Sequence, residues 1–188
     1  AGVRSVLIAD TAKVTRIAGL ADVPIAFGPE NSLAGDFLPS AGFRWQGKPL
    51  SGSGLDLVPV ETTQQSLRLL ADGEVGAAFL WEYVRPGSAS VFADGPRAYL
   101  DELSPDGYAA LWHSEPVRFG PHAVRRNLPA EAKSALRRLL LRLARSDPSV
   151  YERVSPDLSG GFEATVADEY RSAAALVSAI GARETQEP

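Results

Sequence analysis

At 188 residues, 45% hydrophobic and 22% charged, the chain has the composition of one or two small globular domains with length enough for a real core. Its net charge of −4 argues against nucleic acid, and the absence of cysteine excludes disulfides, thiol chemistry and cysteine-based zinc sites. No apolar run is long enough to cross a membrane, and the two histidines, His113 and His122, are badly spaced to share a metal. The chain opens at Ala1, with no methionine anywhere and no signal peptide, so Ala1 reads as a processed, tagged or truncated start. Residues 3–9 (VRSVLIA) predict a strand, and residues 13–20 a short helix or loop. Val23 to Phe27 predicts a second strand, with Pro24 near its start, where a missing N–H costs least.

The run from Ile25 to Pro39 reads as strand, Gly-Pro turn, polar cap and helix start. That order puts unpaired backbone N–H groups beside the positive end of a helix, a place that binds anions without charged side chains. Ser32 adds a hydroxyl, and Gly35 allows close approach to the backbone. Ser32 Oγ and the N–H groups of Ala34 and Gly35 are expected to face a ligand. The plainer reading of the same pattern is an ordinary loop capped by Asn31 and Ser32. Residues 36–41 allow a turn or two of helix before Gly42. Phe43 to Gly54 reads as an exposed excursion, and Leu55 to Val60 as a third strand.

Glu61-Thr62-Thr63 then starts a helix that either threonine can cap, with Ser66, Leu67, Leu69 and Leu70 opening its apolar face and Gly73 ending it. Val75 to Leu80 is wholly apolar and predicts a strand covered on both faces of a parallel sheet. Residues 86–90 read as a flexible exit, and 96–108 as a second excursion. Residues 109–114 predict a further strand. Asn127 is expected to cap a helix with Pro129 in its first turn and a stripe of Leu136, Leu139, Leu140 and Leu143, stopping near Asp147-Pro148. Its arginines, Arg137, Arg138, Arg142 and Arg145, read as a solvated face. A last helix is expected over 165–180, with Ala167, Tyr170, Ala174 and Val177 on one face and Gly181 at its end.

Catalytic patterns are thin. The chain has no G-x-S-x-G elbow, P-loop or H-E-x-x-H. His113 and Glu82 are the only candidates for a general acid or base, and His113 beside Trp112 reads better as structural. Ligands of parallel α/β sheets bind beyond the carboxyl ends of strands. Three such ends carry Asn31-Ser32, Thr62-Thr63 and Trp81-Glu82-Tyr83, which together make a small-molecule cleft or, equally, loop polar groups and core-edge aromatics.

The order of segments resembles the phosphate/phosphonate-type solute-binding proteins of ABC transporters. Their Ser-Thr-Ser-Gly loop is matched by Ser32-Leu33-Ala34-Gly35, and their Ser-His helix start by Thr62-Thr63. Ala71-Asp72-Gly73-Glu74 and Gly76-Ala77-Ala78 follow in the same order, then Leu111 to Val117, then a valine-arginine strand before a Leu-Pro helix at residues 123–129. Gly161-Phe162 and Asp168-Glu169-Tyr170 complete the series, so the likeness spans about residues 3–180. It implies an α/β fold of the type II periplasmic-binding kind: a three-layer αβα lobe with a mixed or parallel sheet, part of a second lobe, and C-terminal helices. In that scheme residues 22–84 form the inserted lobe. Residues 1–21 and 110–188 supply hinge strands and part of the first lobe, most of which lies upstream in the family.

The resemblance implies a small anionic solute held between lobes by Asn31, Ser32, Leu33, Ala34, Gly35, Thr62, Thr63, Trp81, Glu82 and Tyr83. It implies no cofactor and no metal. The implied partner is a membrane permease, and the implied setting is a monomer in the periplasm or otherwise outside the cytoplasm. Leu33 and Ala34 replace two family hydroxyls, Thr63 stands at the histidine position, and Trp81, with Glu82 adjacent, falls where the family has an acid. Each lost donor costs about 1–3 kcal/mol toward a buried oxyanion. The departures therefore favour a less charged, larger or more apolar ligand. An enzyme or a sensory domain on the same fold is the alternative. The excursions at 43–54 and 86–108 read as surface loops, or as lid or partner surfaces.

Overall fold

Residues 5–9 of the first strand, β1 (Gly2–Asp10), are fully buried, so both of its faces are covered and it must lie inside a sheet. The computed structural model describes residues 2–84, 96–104, 106–155, 161–171, 173–176 and 178, and places β1 accordingly. The chain passes from β1 through a 3₁₀ segment (Ile17–Asp22) to β2 (Ile25–Phe27), then a π-helical turn (Leu33–Phe37) that runs on into helix α1 (Leu38–Gly42). A short hairpin, β3 (Arg44–Trp45) and β4 (Lys48–Pro49), precedes β5 (Leu57–Pro59), helix α2 (Thr63–Ala71) and β6 (Ala77–Val84). Helix α3 (Pro96–Leu103), β7 (Tyr108–His113) and β8 (Val117–Arg118) follow.

The sheet runs β5-β2-β6-β1-β7, with β8 also on β1. β2 is parallel to β5 and β6, whereas β1 is antiparallel to β6, β7 and β8, so the sheet is mixed. Alternation along the strands sends Leu7, Ala9, Ile25, Ala77 and Phe79 to one face and Val6, Ile8, Ala26, Ala78 and Leu80 to the other. Leu70 of α2 and Leu100 of α3 cover the second face. Val14, Leu20, Phe43, Trp45 and Leu50 cover the first. Rings of Phe43, Phe79 and Trp112 meet edge to face at 5.5–6.1 Å, a geometry that adds specific attraction to their burial.

Two expected excursions are thereby corrected. Residues 43–54 fold back as the hairpin, because Phe43, Trp45 and Leu50 have an apolar sheet face to bury against. Within 96–108, residues 96–103 form α3, whose Leu100 is fully buried. The expected strand near Val124-Arg125 is absent; Val117 and Arg118 pair with β1 instead. Residues 86–90 lie outside the described residues.

The chain divides into two compact units, one holding residues up to Phe119 and from Tyr170 onward, the other Gly120–Glu169. In the second unit, helix α4 (Ala130–Ser146) starts at Pro129 with no side-chain cap, so Asn127 does not cap it. Asp147 ends α4 and also caps helix α5 (Pro148–Val154), so Pro148 starts a new helix rather than closing the old one. Leu143 and Tyr151 are buried here, while Leu136 and Leu139 of the expected stripe are 38% and 55% exposed. Residues 167–170 form a 3₁₀ turn, and 171, 173–176 and 178 are helical. Ala167 and Ala174 are exposed there, and Val177 and Gly181 lie outside what is described.

Candidate functional site

β2 and β5 pair in parallel from Ile25↔Leu57 to Phe27↔Pro59, so the loops that leave them rise from the same sheet edge, side by side. The Val60 N–H donates to the Phe27 carbonyl at 3.1 Å and ties the two loops at their roots. β6 is parallel to β2 from Ile25↔Ala77 and runs further, which carries Trp81, Glu82 and Tyr83 past the end of β2. The three expected clusters are therefore gathered at one edge of the sheet.

Within the first loop, the helical turn begins at Leu33 with Ser32 as its cap. Ser32 Oγ accepts the Gly35 N–H at 3.2 Å, and the Ser32 carbonyl accepts the N–H groups of Asp36 and Phe37. Gly35 N–H is thus used inside the loop, contrary to the expectation that it faces a ligand, whereas Ser32 Oγ serves there as an acceptor and keeps its O–H as a donor. The glycine itself is required for another reason: a Cβ on Gly35 would collide with the Gly28 carbonyl, whose own N–H donates to the Gly35 carbonyl at 3.0 Å. Leu33 and Ala34 carry first-turn N–H groups, which have no acceptor within the helix. Asp36 folds back over the same turn: its Oδ2 accepts the Asn31 N–H at 2.9 Å and its Oδ1 accepts the Ser40 hydroxyl at 3.1 Å. Asn31 is exposed and left-handed, with φ 64°.

The second loop closes in a reciprocal cap. Thr62 Oγ1 accepts the Gln65 N–H at 3.0 Å, and Gln65 Oε1 accepts the Glu61 N–H at 2.9 Å. Thr63 is the first helical residue, its hydroxyl 3.4 Å from Gln64 Oε1. One turn on, Ser66 is fully buried, and its hydroxyl has no partner.

At the third position the structure revises the sequence picture. Trp81, Glu82 and Tyr83 lie inside β6, not beyond it, and pair with Ser5, Arg4 and Val3 of β1. Glu82 is 6% exposed, and Arg4 donates to its Oε2 from Nε at 2.8 Å and from Nη2 at 2.7 Å. Its charge is spent on a neighbouring strand. Tyr83 packs on Phe119 with ring centres 5.7 Å apart, and Tyr170 donates its hydroxyl to the Phe119 carbonyl at 3.1 Å. His113 is exposed at the end of β7. Arg4, Asp36 and Gln65 went unnoticed in the sequence. The carboxylate in a helical first turn was the one legible signal among them. Among the described residues, no group of three or more His, Asp or Glu could hold a metal, and no helix is long and apolar enough to cross a membrane.

A family model described as "ABC transporter, phosphonate, periplasmic substrate-binding protein" matches residues 1–170. The chain belongs to that family. It is a family of transport proteins that bind substrates in the periplasm, not a class of enzymes. No curated protein matches the chain. Among solved structures, it is similar to a binding protein component of an ABC phosphonate transporter from Pseudomonas aeruginosa, at 18% identity and a TM-score of 0.63. The match covers 94% of this chain and 57% of that one. A Xanthomonas citri protein bound to ATP is similar at 15% identity and a TM-score of 0.58, over 98% of this chain and 68% of that one. A Prochlorococcus marinus protein in complex with methylphosphonate follows at 14% and 0.57, over 96% and 67%. At these identities the likenesses establish the fold that the sheet already displays. The family member described here spans little more than half to two-thirds of their lengths.

Proposed function

We propose that this chain binds a small oxyanion-bearing solute at the carboxyl edge of β2, β5 and β6 and serves an ABC transporter as its solute-binding component. One observation carries the reading: the helix starts at Leu33 and Thr63 and the Trp81–Tyr83 end of β6 share one sheet edge. Two positive helix ends at one place attract an anion. The ligand residues are then Asn31, Ser32, Leu33, Ala34, Thr62, Thr63, Trp81 and Tyr83, with the Ser32 hydroxyl and the N–H groups of Leu33 and Ala34 as donors, while Gly35 and Glu82 shape the site through their own bonds to Ser32 and Arg4. Residues 22–84 make one lobe, with β1 at the centre of its sheet rather than in the hinge, and residues 110–188 supply hinge strands and part of the other. The solute sits between lobes, and a membrane permease reads the closed form. The working place is the periplasm or its equivalent, and the protein acts as a monomer.

The residues present favour a solute of low charge. Leu33 and Ala34 bring no hydroxyls, and Gly35 N–H is already bonded. The carboxylate of Asp36 lies in the first turn, and Glu61 stands just before α2. A dianion meets two like charges and few free donors there. The pairing of Glu82 with Arg4 also takes away the acid that an enzyme reading would need.

A thermal-shift panel on the full-length gene product tests the proposal, with phosphate, phosphite, alkyl- and aminoalkylphosphonates, sulfate and small carboxylates. A cognate solute at a hundred times its Kd adds about 2.7 kcal/mol and raises the midpoint by several degrees. The same solute is expected to bind Asp36→Asn at least as well as the parent protein. No shift from any member of the panel, with the protein folded, overturns the reading.

A further inference from the structure

Tyr83 is held from behind. Its ring packs on Phe119, and Phe119 is fixed in turn by Tyr170, whose hydroxyl donates to the Phe119 carbonyl. The three residues come from β6, the loop after β8 and the turn at Ala167–Tyr170, yet all belong to one compact unit. Val117 and Tyr83 both oppose Val3, so Phe119, two residues on from Val117, leaves the same face of the sheet as Tyr83. None of the three is part of either apolar cluster of the unit, so the stack is not an extension of the core.

Alternation along β6 places Tyr83 on the face of Phe79. The helical run from Leu33 to Gly42 crosses that same face. It packs on β1 and β6, and Gly42 abuts Trp112, whose ring meets Phe79. The free N–H groups of Leu33 and Ala34 and the Tyr83 ring therefore share one side of the sheet, where β6 outruns β2. Register and packing fix this placement, whatever else covers the ring. Glu82, the acid next to Tyr83, alternates to the opposite face and is spent on Arg4, so it offers nothing to an ammonium group on that side. A ring already braced loses little further freedom when a ligand meets it, and its π-face suits a flat or apolar group.

We propose that Tyr83, braced by Phe119 and Tyr170, is the wall that selects the solute's substituent, an inference that rests on the solute-binding reading above. The solute is then an oxyanion carrying an aryl or other bulky apolar group. That group lies on the Tyr83 ring while the anionic head meets the N–H groups of Leu33 and Ala34. Phe119 and Tyr170 act through Tyr83 and are positioning residues.

Isothermal titration calorimetry on the full-length gene product tests it, with methylphosphonate and phenylphosphonate as the two probes. Phenylphosphonate is expected to bind roughly tenfold tighter or more, because its ring buries apolar area on Tyr83. Tyr83→Ala should lose most of that preference and leave the methylphosphonate Kd within about twofold. Tyr83→Phe keeps the ring and should keep the preference. Tyr170→Phe releases the Phe119 carbonyl and should cut the preference severalfold at an unchanged methylphosphonate Kd, a split that a general loss of stability does not produce. Circular dichroism checks that each variant is folded. Methylphosphonate binding with no preference for the phenyl probe overturns this proposal and leaves the solute reading standing. Binding of neither phosphonate overturns it too, and the solute reading falls with it only when the wider oxyanion panel is also inert. Equal loss of both probes in Tyr83→Ala makes the ring structural, and loss of the preference in Tyr83→Phe gives the role to the hydroxyl; either result overturns the proposal. An intact preference in Tyr170→Phe overturns the bracing.

Discussion

Glu82 shows how one residue changes meaning between sequence and structure. In the sequence it stands just after an apolar run, where an acid could meet a solute. In the structure β6 continues through it, and the register sets it opposite Arg4, whose Nε and Nη2 both reach Oε2. Glu82→Gln keeps the shape and removes the charge. Breaking a fully buried pair costs about 3–5 kcal/mol, but the Arg4 side chain is 17% exposed and water shares in its solvation, so a loss of about 2 kcal/mol is expected. Urea unfolding measures it, and a loss under about 0.5 kcal/mol would mean that solvent already satisfies Arg4. Gly35 shifts in the same way. The sequence requires a glycine at a helix start but does not say what approaches it. The answer is the Gly28 carbonyl of its own loop rather than a ligand. Asp36 illustrates the limit best. A carboxylate in a first turn is visible in any sequence, yet its two bonds to Asn31 and Ser40 depend on a backbone path no local pattern fixes.

Elements were legible where period and cap agreed. α2 has both: Thr62 caps it, Ser66 and Leu70 face the sheet, and Gly73 follows at φ 71°, where a side chain would be strained. α5 was missed because Pro148 was read as a stop, and α3 because residues 96–108 were read as a surface excursion. Pro96 and Pro148 each stand in a first turn, where a missing N–H costs nothing. The cap of α5 makes a pH prediction. Asp147 accepts the Ser149 hydroxyl at 2.8 Å and the Val150 N–H at 3.1 Å, and these bonds, Ser149 first, hold its carboxyl below the ordinary aspartate value. A group depressed in the folded state stabilises above its unfolded pKa and loses that contribution as pH falls through the folded one. Acidification should therefore fray the start of α5. Carbon-detected NMR should find Asp147 titrating below a free aspartate, with the Val150 amide shifting in step. Titration of Asp147 at or above the ordinary value would refute the cap.

At the scale of the molecule, an apolar run such as residues 75–80 announces burial on both faces but not the direction of its neighbours. β6 is parallel to β2 on one side and antiparallel to β1 on the other, and only long-range pairing decides that. The same two strands should set the stability of their unit. Residues 6–9 of β1 and 77–80 of β6 are fully buried, lie centrally in the sheet and supply both apolar clusters. The unit from Gly120 to Glu169 has far less to hold it. Leu143 and Tyr151 are its buried apolar side chains among the described residues, helped by Phe162, whose ring meets Tyr151 at 5.3 Å and His122 at 4.7 Å. Amides open locally with free energies that range from near zero up to that of global unfolding, and the better buried unit lies at the upper end. Hydrogen exchange followed by mass spectrometry should find peptides from β1 and β6 the slowest to label. Those from α4 and α5 should exchange roughly a hundredfold faster or more, about 2.7 kcal/mol less protected. Raising denaturant should release α4 first and the two strands together, later, in one step. Equal protection of α4 and β6 would mean that the second unit opens only when the whole molecule unfolds, which two buried side chains and one aromatic cluster are too few to enforce.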